Sequence, residues 1–196
     1  MPCAYLALGD SVSIDSYTSE PGGGAVSQFA RLIGAGEVQD LAYDGCTTAG
    51  VLDTLELVSL RPDVVTLTAG GNDLLIGAVR ELPGNLAKIA GQLAAFECPI
   101  ILNTIYDPTD GDDRLLDELG LPPVMRPVYE RINDGIRELA RRHGFLLADL
   151  QALFYGHGFA SPDNWIVLRI EPNLAGATAI AQEWFRLYQA IPQQAL

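Results

Sequence analysis

Three short clusters of small and polar residues carry groups that could do chemistry together. Gly9-Asp10-Ser11 sets a hydroxyl beside a glycine that permits a tight turn. Asp44-Gly45-Cys46-Thr47-Thr48 sets a second glycine among polar neighbours, and Gly70-Gly71-Asn72-Asp73 offers a side-chain amide donor. Acyl transfer needs an activated hydroxyl and hydrogen-bond donors aimed where negative charge develops on a carbonyl oxygen. Taken singly, each cluster has a plainer reading. A Gly-Asp-Ser tripeptide arises by chance, Gly45 serves as a turn glycine, and Asn72 caps a helix through an Asx turn. Their joint placement favours chemistry, because each cluster directly follows a short apolar run.

Those runs are residues 5–8, 38–42, 64–68, 100–104 and 145–148, rich in apolar or β-branched side chains. Continuous apolar runs of this length suit strands covered on both faces, as in a parallel sheet. Helical spacing lies between them: Val26, Phe29, Ala30 and Ile33 share one face, and so do Val51, Leu52, Leu55 and Val58. Leu86, Ile89, Ala90 and Leu93 repeat the spacing, as do Val128, Ile132, Ile136 and Leu139. A last helical pattern covers residues 174–188, with Asn173 as its N-cap. Strands alternating with helices imply a doubly wound sheet with right-handed crossovers. In such sheets ligands bind beyond the carboxyl ends of the strands, where the three clusters lie. Segments 107–123 and 156–171 interrupt the alternation, and long loops of this kind are functional or mobile. No repeat or low-complexity linker divides the chain, so residues 1–196 read as a single domain.

Composition removes several classes of function. The formal charge is -13 with one lysine, Lys88, so the clustered cations that a nucleic-acid backbone requires are absent. Arg141-Arg142-His143 reads as the polar end of a helix, with His143 beside Gly144. No run approaches the roughly 20 apolar residues of a membrane helix, and the first residues lack the basic start of an export signal. A cytoplasmic protein without membrane insertion is the expectation. Cys3, Cys46 and Cys98 are odd in number and widely spaced, which suits neither a disulfide framework nor zinc. Pro21-Gly22-Gly23-Gly24 lacks the Lys and Ser/Thr spacing of a phosphate cradle and reads as a loop into a helix. Neither a cofactor nor a metal is called for; the expected partner is a small-molecule ester.

In these blocks the chain resembles the SGNH hydrolases, also called GDSL lipases or esterases. Gly9-Asp10-Ser11 matches the family's first block, Gly45-Cys46-Thr47-Thr48 its second and Gly70-Gly71-Asn72-Asp73 its third. The resemblance implies a three-layer α/β/α sandwich on a flavodoxin-like, five-stranded parallel sheet. It also implies Ser11 as nucleophile, and an oxyanion hole from the Ser11 N–H, the Gly45 N–H and the Asn72 side chain. The Gly-x-Ser-x-Gly elbow of the unrelated α/β-hydrolases is absent.

The fourth block departs from the family pattern. Family members carry Asp-x-x-His before the last helix, often followed by Pro-Asn and Gly. Here Leu168 stands in the Asp position and Glu171 in the His position, followed by Pro172, Asn173 and Gly176. Three arrangements are open. Glu171 acts as the base in a Ser11–Glu171 dyad, with burial raising a carboxyl whose ordinary pKa is about 4.3. Alternatively His157, in the glycine-flanked Tyr155-Gly156-His157-Gly158, is the base and Glu171 orients it. In the third, the base is lost and the site binds an acyl or glycan group without turnover. Simpler roles are an exposed loop histidine and a carboxylate favouring a helix N-terminus. Trp165 and Phe159 either line a substrate pocket or pack within their loop. An acyltransferase would use the same acyl-enzyme.

Overall fold

The computed structural model describes residues 3–191. Its sheet consists of β1 (Cys3–Gly9), β2 (Ala35–Asp40), β3 (Val64–Thr68), β4 (Ile100–Asn103) and β5 (Leu146–Ala148). All neighbours run parallel, in the order β2-β1-β3-β4-β5. This is the flavodoxin-like order, with the topological switch between β1 and β3.

Alternation along each strand builds two cores, because successive side chains leave opposite faces of a sheet. Leu6 and Leu8 of β1 and Val65 and Leu67 of β3 face one layer. That layer comprises α2 (Thr48–Leu55), α4 (Leu82–Ala94) and α5 (Met125–His143). Tyr5, Ala7 and Val64 face the other, formed by α1 (Ala25–Ile33) and α7 (Leu174–Gln189). There Phe29 meets Tyr5 and Trp184 edge-on, at 5.2 and 5.8 Å between ring centres. The fully buried Trp184 donates from Nε1 to Asn103 Oδ1 at 2.8 Å, so its polar edge does not go unpaired.

The five strands and the five long helices each overlap a segment that the apolar patterns mark. The edge strand is the one displaced: the pattern marks residues 38–42, and β2 spans Ala35–Asp40. A half-exposed edge strand takes polar residues such as Glu37 and Gln39, so apolarity does not mark its limits. The two irregular segments hold short elements that no periodicity announces. Residues Asp113–Leu119 form a 3-10 helix within segment 107–123. Within segment 156–171, β6 (Ile166–Val167) and β7 (Glu171–Pro172) form a small antiparallel hairpin. Its tip holds Leu168 and Arg169 at φ 51 and 69, a left-handed backbone that residues other than glycine adopt at a cost. Two further short helices follow strands: α3 (Gly71–Ile76) after β3 and α6 (Leu150–Leu153) after β5. Among the described residues no helix is long and apolar enough to cross a membrane.

Asn173 is the N-cap of α7, accepting from the Ala175 and Gly176 amides at 2.9 and 3.1 Å. The cap also sets the exit of the hairpin that carries Glu171. Asn173→Ala is expected to cost about 0.5–2 kcal/mol, seen as a Tm lowered by several degrees. Asn173→Ser should recover most of that loss, because a serine hydroxyl also accepts from the first turn. Equal Tm values for wild type and Asn173→Ala would contradict this role.

Candidate active site

The site opens at the carboxyl ends of β1, β3 and β4, where the chain must turn away from the sheet. Gly9 ends β1 at φ 128, and a Cβ there would collide with the Thr68 carbonyl of β3. Only glycine allows β1 and β3 to stay paired to their ends while the chain turns. The turn is then fixed by Asp10, whose amide donates to the Thr68 carbonyl at 3.1 Å. Asp10 itself is buried, accepts from the Val12 amide at 3.2 Å, and is pushed up to about 6 by that burial. Ser11 follows, 6% exposed, with its side chain at the cleft.

Ser11 Oγ donates to Glu171 Oε1 at 3.0 Å, across 160 residues of sequence. The pairing Val167↔Glu171 in the hairpin sets the backbone from which the carboxylate reaches the serine. Glu171 is also 6% exposed, and its Oε2 is buried with no hydrogen-bond partner among the described residues. An ionised carboxylate with one oxygen unpaired in a dry site is costly. Burial accordingly pushes the Glu171 pKa up to about 7. The Ser11 hydrogen bond opposes that shift, while the charges of Asp10 and Asp44 add to it.

Asn72 lines the same cleft from the start of α3, and its amide donates to the Cys46 carbonyl at 2.9 Å. That bond ties α3 to the turn holding Gly45, which is exposed at φ 76 and is not part of the cleft wall. A second tie is the buried Asp73, which accepts from the Thr48 amide at 2.9 Å and the Thr48 hydroxyl at 2.6 Å. The second and third clusters are thereby held against each other. Asp73 was not singled out in the sequence, although it directly follows Asn72. A short polar residue there is equally consistent with a helix first turn.

His157 is not brought to Ser11. Its Nδ1 lies 2.8 Å from the Asp163 carbonyl oxygen, and its ring stacks on Trp165 with 3.6 Å between centroids. It is not part of the cleft wall, and neither are Trp165 and Phe159, which pack against the core on the α1 and α7 side of the sheet, Trp165 edge-on to Phe154. His143 closes α5 before the left-handed Gly144 and stacks against Phe145. The cleft holds about 930 Å³ of space, its open mouth included. Its remaining wall comes largely from segment 107–123 and the start of α5. The sequence marked that segment as irregular, but its apolar residues follow no period that would show which face inward.

Residues 7–179 match the model of the GDSL-like lipase/acylhydrolase family. No curated protein matches the chain. Among solved structures, the chain resembles LAE5, an α/β hydrolase enzyme from the metagenome of Lake Arreo, Spain. The identity is 21%, the TM-score 0.75, and 97% of each chain is covered. A member of the lipolytic G-D-S-L family from Veillonella parvula is 19% identical with a TM-score of 0.71, covering 96% of this chain and 99% of that one. The acetylxylan esterase Axe2 from Geobacillus stearothermophilus is 18% identical with a TM-score of 0.74, covering 94% and 93%. Catalytic mutants of Axe2 at a serine and at a histidine are also similar.

The raised carboxyl has a consequence for stability. A group whose folded pKa exceeds its unfolded value holds its proton more tightly when folded. Its contribution to stability is full at low pH and is lost as pH rises from 4.5 to about 7. The loss from this group amounts to about 3 kcal/mol. Glu171→Gln removes the buried charge and keeps an acceptor for Ser11. Its Tm should exceed that of wild type by several degrees at pH 8 and match it near pH 4.5. A lower Tm for the variant at pH 8 would contradict the buried, unpaired carboxylate.

Proposed function

The chain belongs to the GDSL-like lipase/acylhydrolase family, and on that premise we propose that it is a serine esterase whose base is Glu171 alone. The observation that carries this reading is the 3.0 Å hydrogen bond from Ser11 to Glu171, with His157 engaged elsewhere. Ester hydrolysis is the chemistry of the family; the residue roles are the proposal.

Ionised Glu171 accepts the Ser11 proton on Oε1 as Oγ attacks the ester carbonyl. The negative charge that develops on the carbonyl oxygen falls to the Ser11 N–H and the Asn72 amide, both at the cleft; Gly45, outside the cleft wall, is left without that role. Asn72 has two amide hydrogens, and the one bonded to Cys46 leaves the other for this purpose. Protonated Glu171 then gives its proton to the leaving alcohol, and an acyl-enzyme remains on Ser11. Deacylation repeats the steps with water: Glu171 takes a water proton, hydroxide attacks the acyl carbonyl, and the proton returns to Ser11. A base works best with a pKa near the working pH, and burial brings Glu171 to about 7. An ordinary glutamate, at about 4.3, would be too weak for a serine hydroxyl.

Three variants test the assignment through hydrolysis of short p-nitrophenyl esters. Ser11→Ala should abolish turnover while its thermal transition stays within a few degrees of wild type. Glu171→Gln should lower kcat by about 10²–10⁴-fold. His157→Ala should change kcat by no more than a few-fold. Collapse of kcat in both His157→Ala and Glu171→Gln would instead require the histidine as base with Glu171 orienting it. If neither lost more than a few-fold, the dyad would be refuted.

A further inference from the structure

Away from the dyad, the cleft wall is built from one apolar set. Leu74 of α3, Leu116 and Leu119 of the 3-10 helix, Leu121 beyond it, and Met125 and Tyr129 of α5 line it together. The polar groups along this wall are bonded within the protein. The Tyr129 hydroxyl donates to the Ile105 carbonyl at 2.9 Å, and the Tyr106 hydroxyl to the Ile170 carbonyl. The Asn103 amide donates to the Leu67 carbonyl at 2.7 Å, while its oxygen receives Trp184. Thr104 donates to Asp149 at 2.9 Å. Arg126 is the cation on this wall, and its guanidinium is bound by Asp107, by Asp113 at 2.9 Å and by Thr109 at 2.9 Å.

Recognition of a sugar calls for polar groups that the protein has not already satisfied, and recognition of an anionic head group for a cation not already neutralised. This wall offers neither among the described residues. What it offers is aliphatic and aromatic surface from which bound water is readily displaced. We propose that this arm of the cleft binds a hydrocarbon chain of the ester, so that the substrates are aliphatic esters of medium chain length. The inference rests on the Ser11–Glu171 reading for turnover, and on the wall alone for binding. It separates this chain from the acetylated carbohydrate substrate that the name of one structural neighbour implies for that neighbour. The chain belongs to either the acyl or the alcohol half of the ester; the chemistry that recognises it is the same.

The test compares kcat/KM for p-nitrophenyl acetate, butyrate and octanoate, for ethyl and octyl acetate, and for an acetylated xylo-oligosaccharide. Each buried methylene favours binding by about fourfold, so octanoate should exceed acetate by roughly 100-fold even with partial burial. A gain in the octyl over the ethyl ester, in place of the acyl series, also supports the arm and assigns it to the alcohol. Leu119→Glu and Met125→Trp should each lower the long-to-short ratio at least about tenfold, one by charge and one by filling space. That ratio does not depend on how much of a variant is folded. Flat series in both halves, a preference for the acetylated oligosaccharide, or unchanged ratios in both variants would overturn the proposal. Binding to the Ser11→Ala protein keeps this separate from the catalytic reading. By calorimetry, octan-1-ol should bind it more tightly than ethanol, and Leu119→Glu added to Ser11→Ala should abolish that difference. Equal binding of the two alcohols overturns the arm whatever the fate of the dyad; a Ser11→Ala protein that still hydrolyses esters overturns the dyad alone.

Discussion

The arrangement turns on one hydrogen bond, from a serine hydroxyl to a glutamate that water scarcely reaches. In the proposed dyad, the Ser11–Glu171 contact sets a weak nucleophile against a carboxylate that its surroundings make basic. Burial does this work; among the described residues no neighbouring cation lowers the carboxyl, and two acidic neighbours, Asp10 and Asp44, push it further up. A solvated glutamate at the same distance would hold the serine but could not draw off its proton, because its conjugate acid is too strong. The unpaired Oε2 is therefore part of the same device. Satisfying it with a donor would stabilise the ionised form and return the pKa toward its ordinary value.

Several elements maintain this state against its cost. The parallel sheet delivers Ser11 and Asn72 to adjacent strand ends, on either side of the topological switch. The hairpin delivers Glu171 from the far end of the chain, through a tip with two consecutive left-handed residues that lack glycine's freedom. Strain of that kind persists where the surroundings over-determine it. Here Arg169 bonds the Glu118 carbonyl at 3.1 Å and its carboxylate at 3.2 Å, joining the hairpin tip to the 3-10 helix. Asp110 adds a second brace, accepting from the Gly156 and Gly158 amides at 3.0 and 2.9 Å. The loop leading to the hairpin and the apolar wall of the cleft are thus parts of one assembly. On the proposed reading, a change in segment 107–123 acts on both substrate fit and the pose of the base.

How much of this was legible in the sequence follows from what makes a pattern. Residues 64–68 and 100–104 are buried on both faces, so their strands appear as runs rich in apolar and β-branched residues. Ser11 and Asn72 are found by the same route, since a polar residue just past such a run stands at the sheet's binding edge. Glu171 was legible only by comparison with a block from which its histidine is missing. The hairpin that carries it was not legible, because two-residue strands have no period and Leu168-Arg169 gives no turn signal. His157 shows the opposite failing: flanking glycines suggest a mobile residue, but the stack on Trp165 depends on a loop path that no local pattern encodes. The cleft wall was hidden for a related reason, as Leu116 and Leu119 belong to one turn of a short 3-10 helix in a polar segment.

The central claim is that ionised Glu171 activates Ser11, and the rate at which a fluorophosphonate labels the serine reads that activation directly. In wild type, mass spectrometry should locate the label on Ser11. The rate should rise with pH through a midpoint near 7, where the carboxyl loses its proton. Glu171→Gln should label far more slowly and without that midpoint, and His157→Ala should keep the wild-type profile. Label on another residue, or a Glu171→Gln profile that matches wild type, would contradict the account.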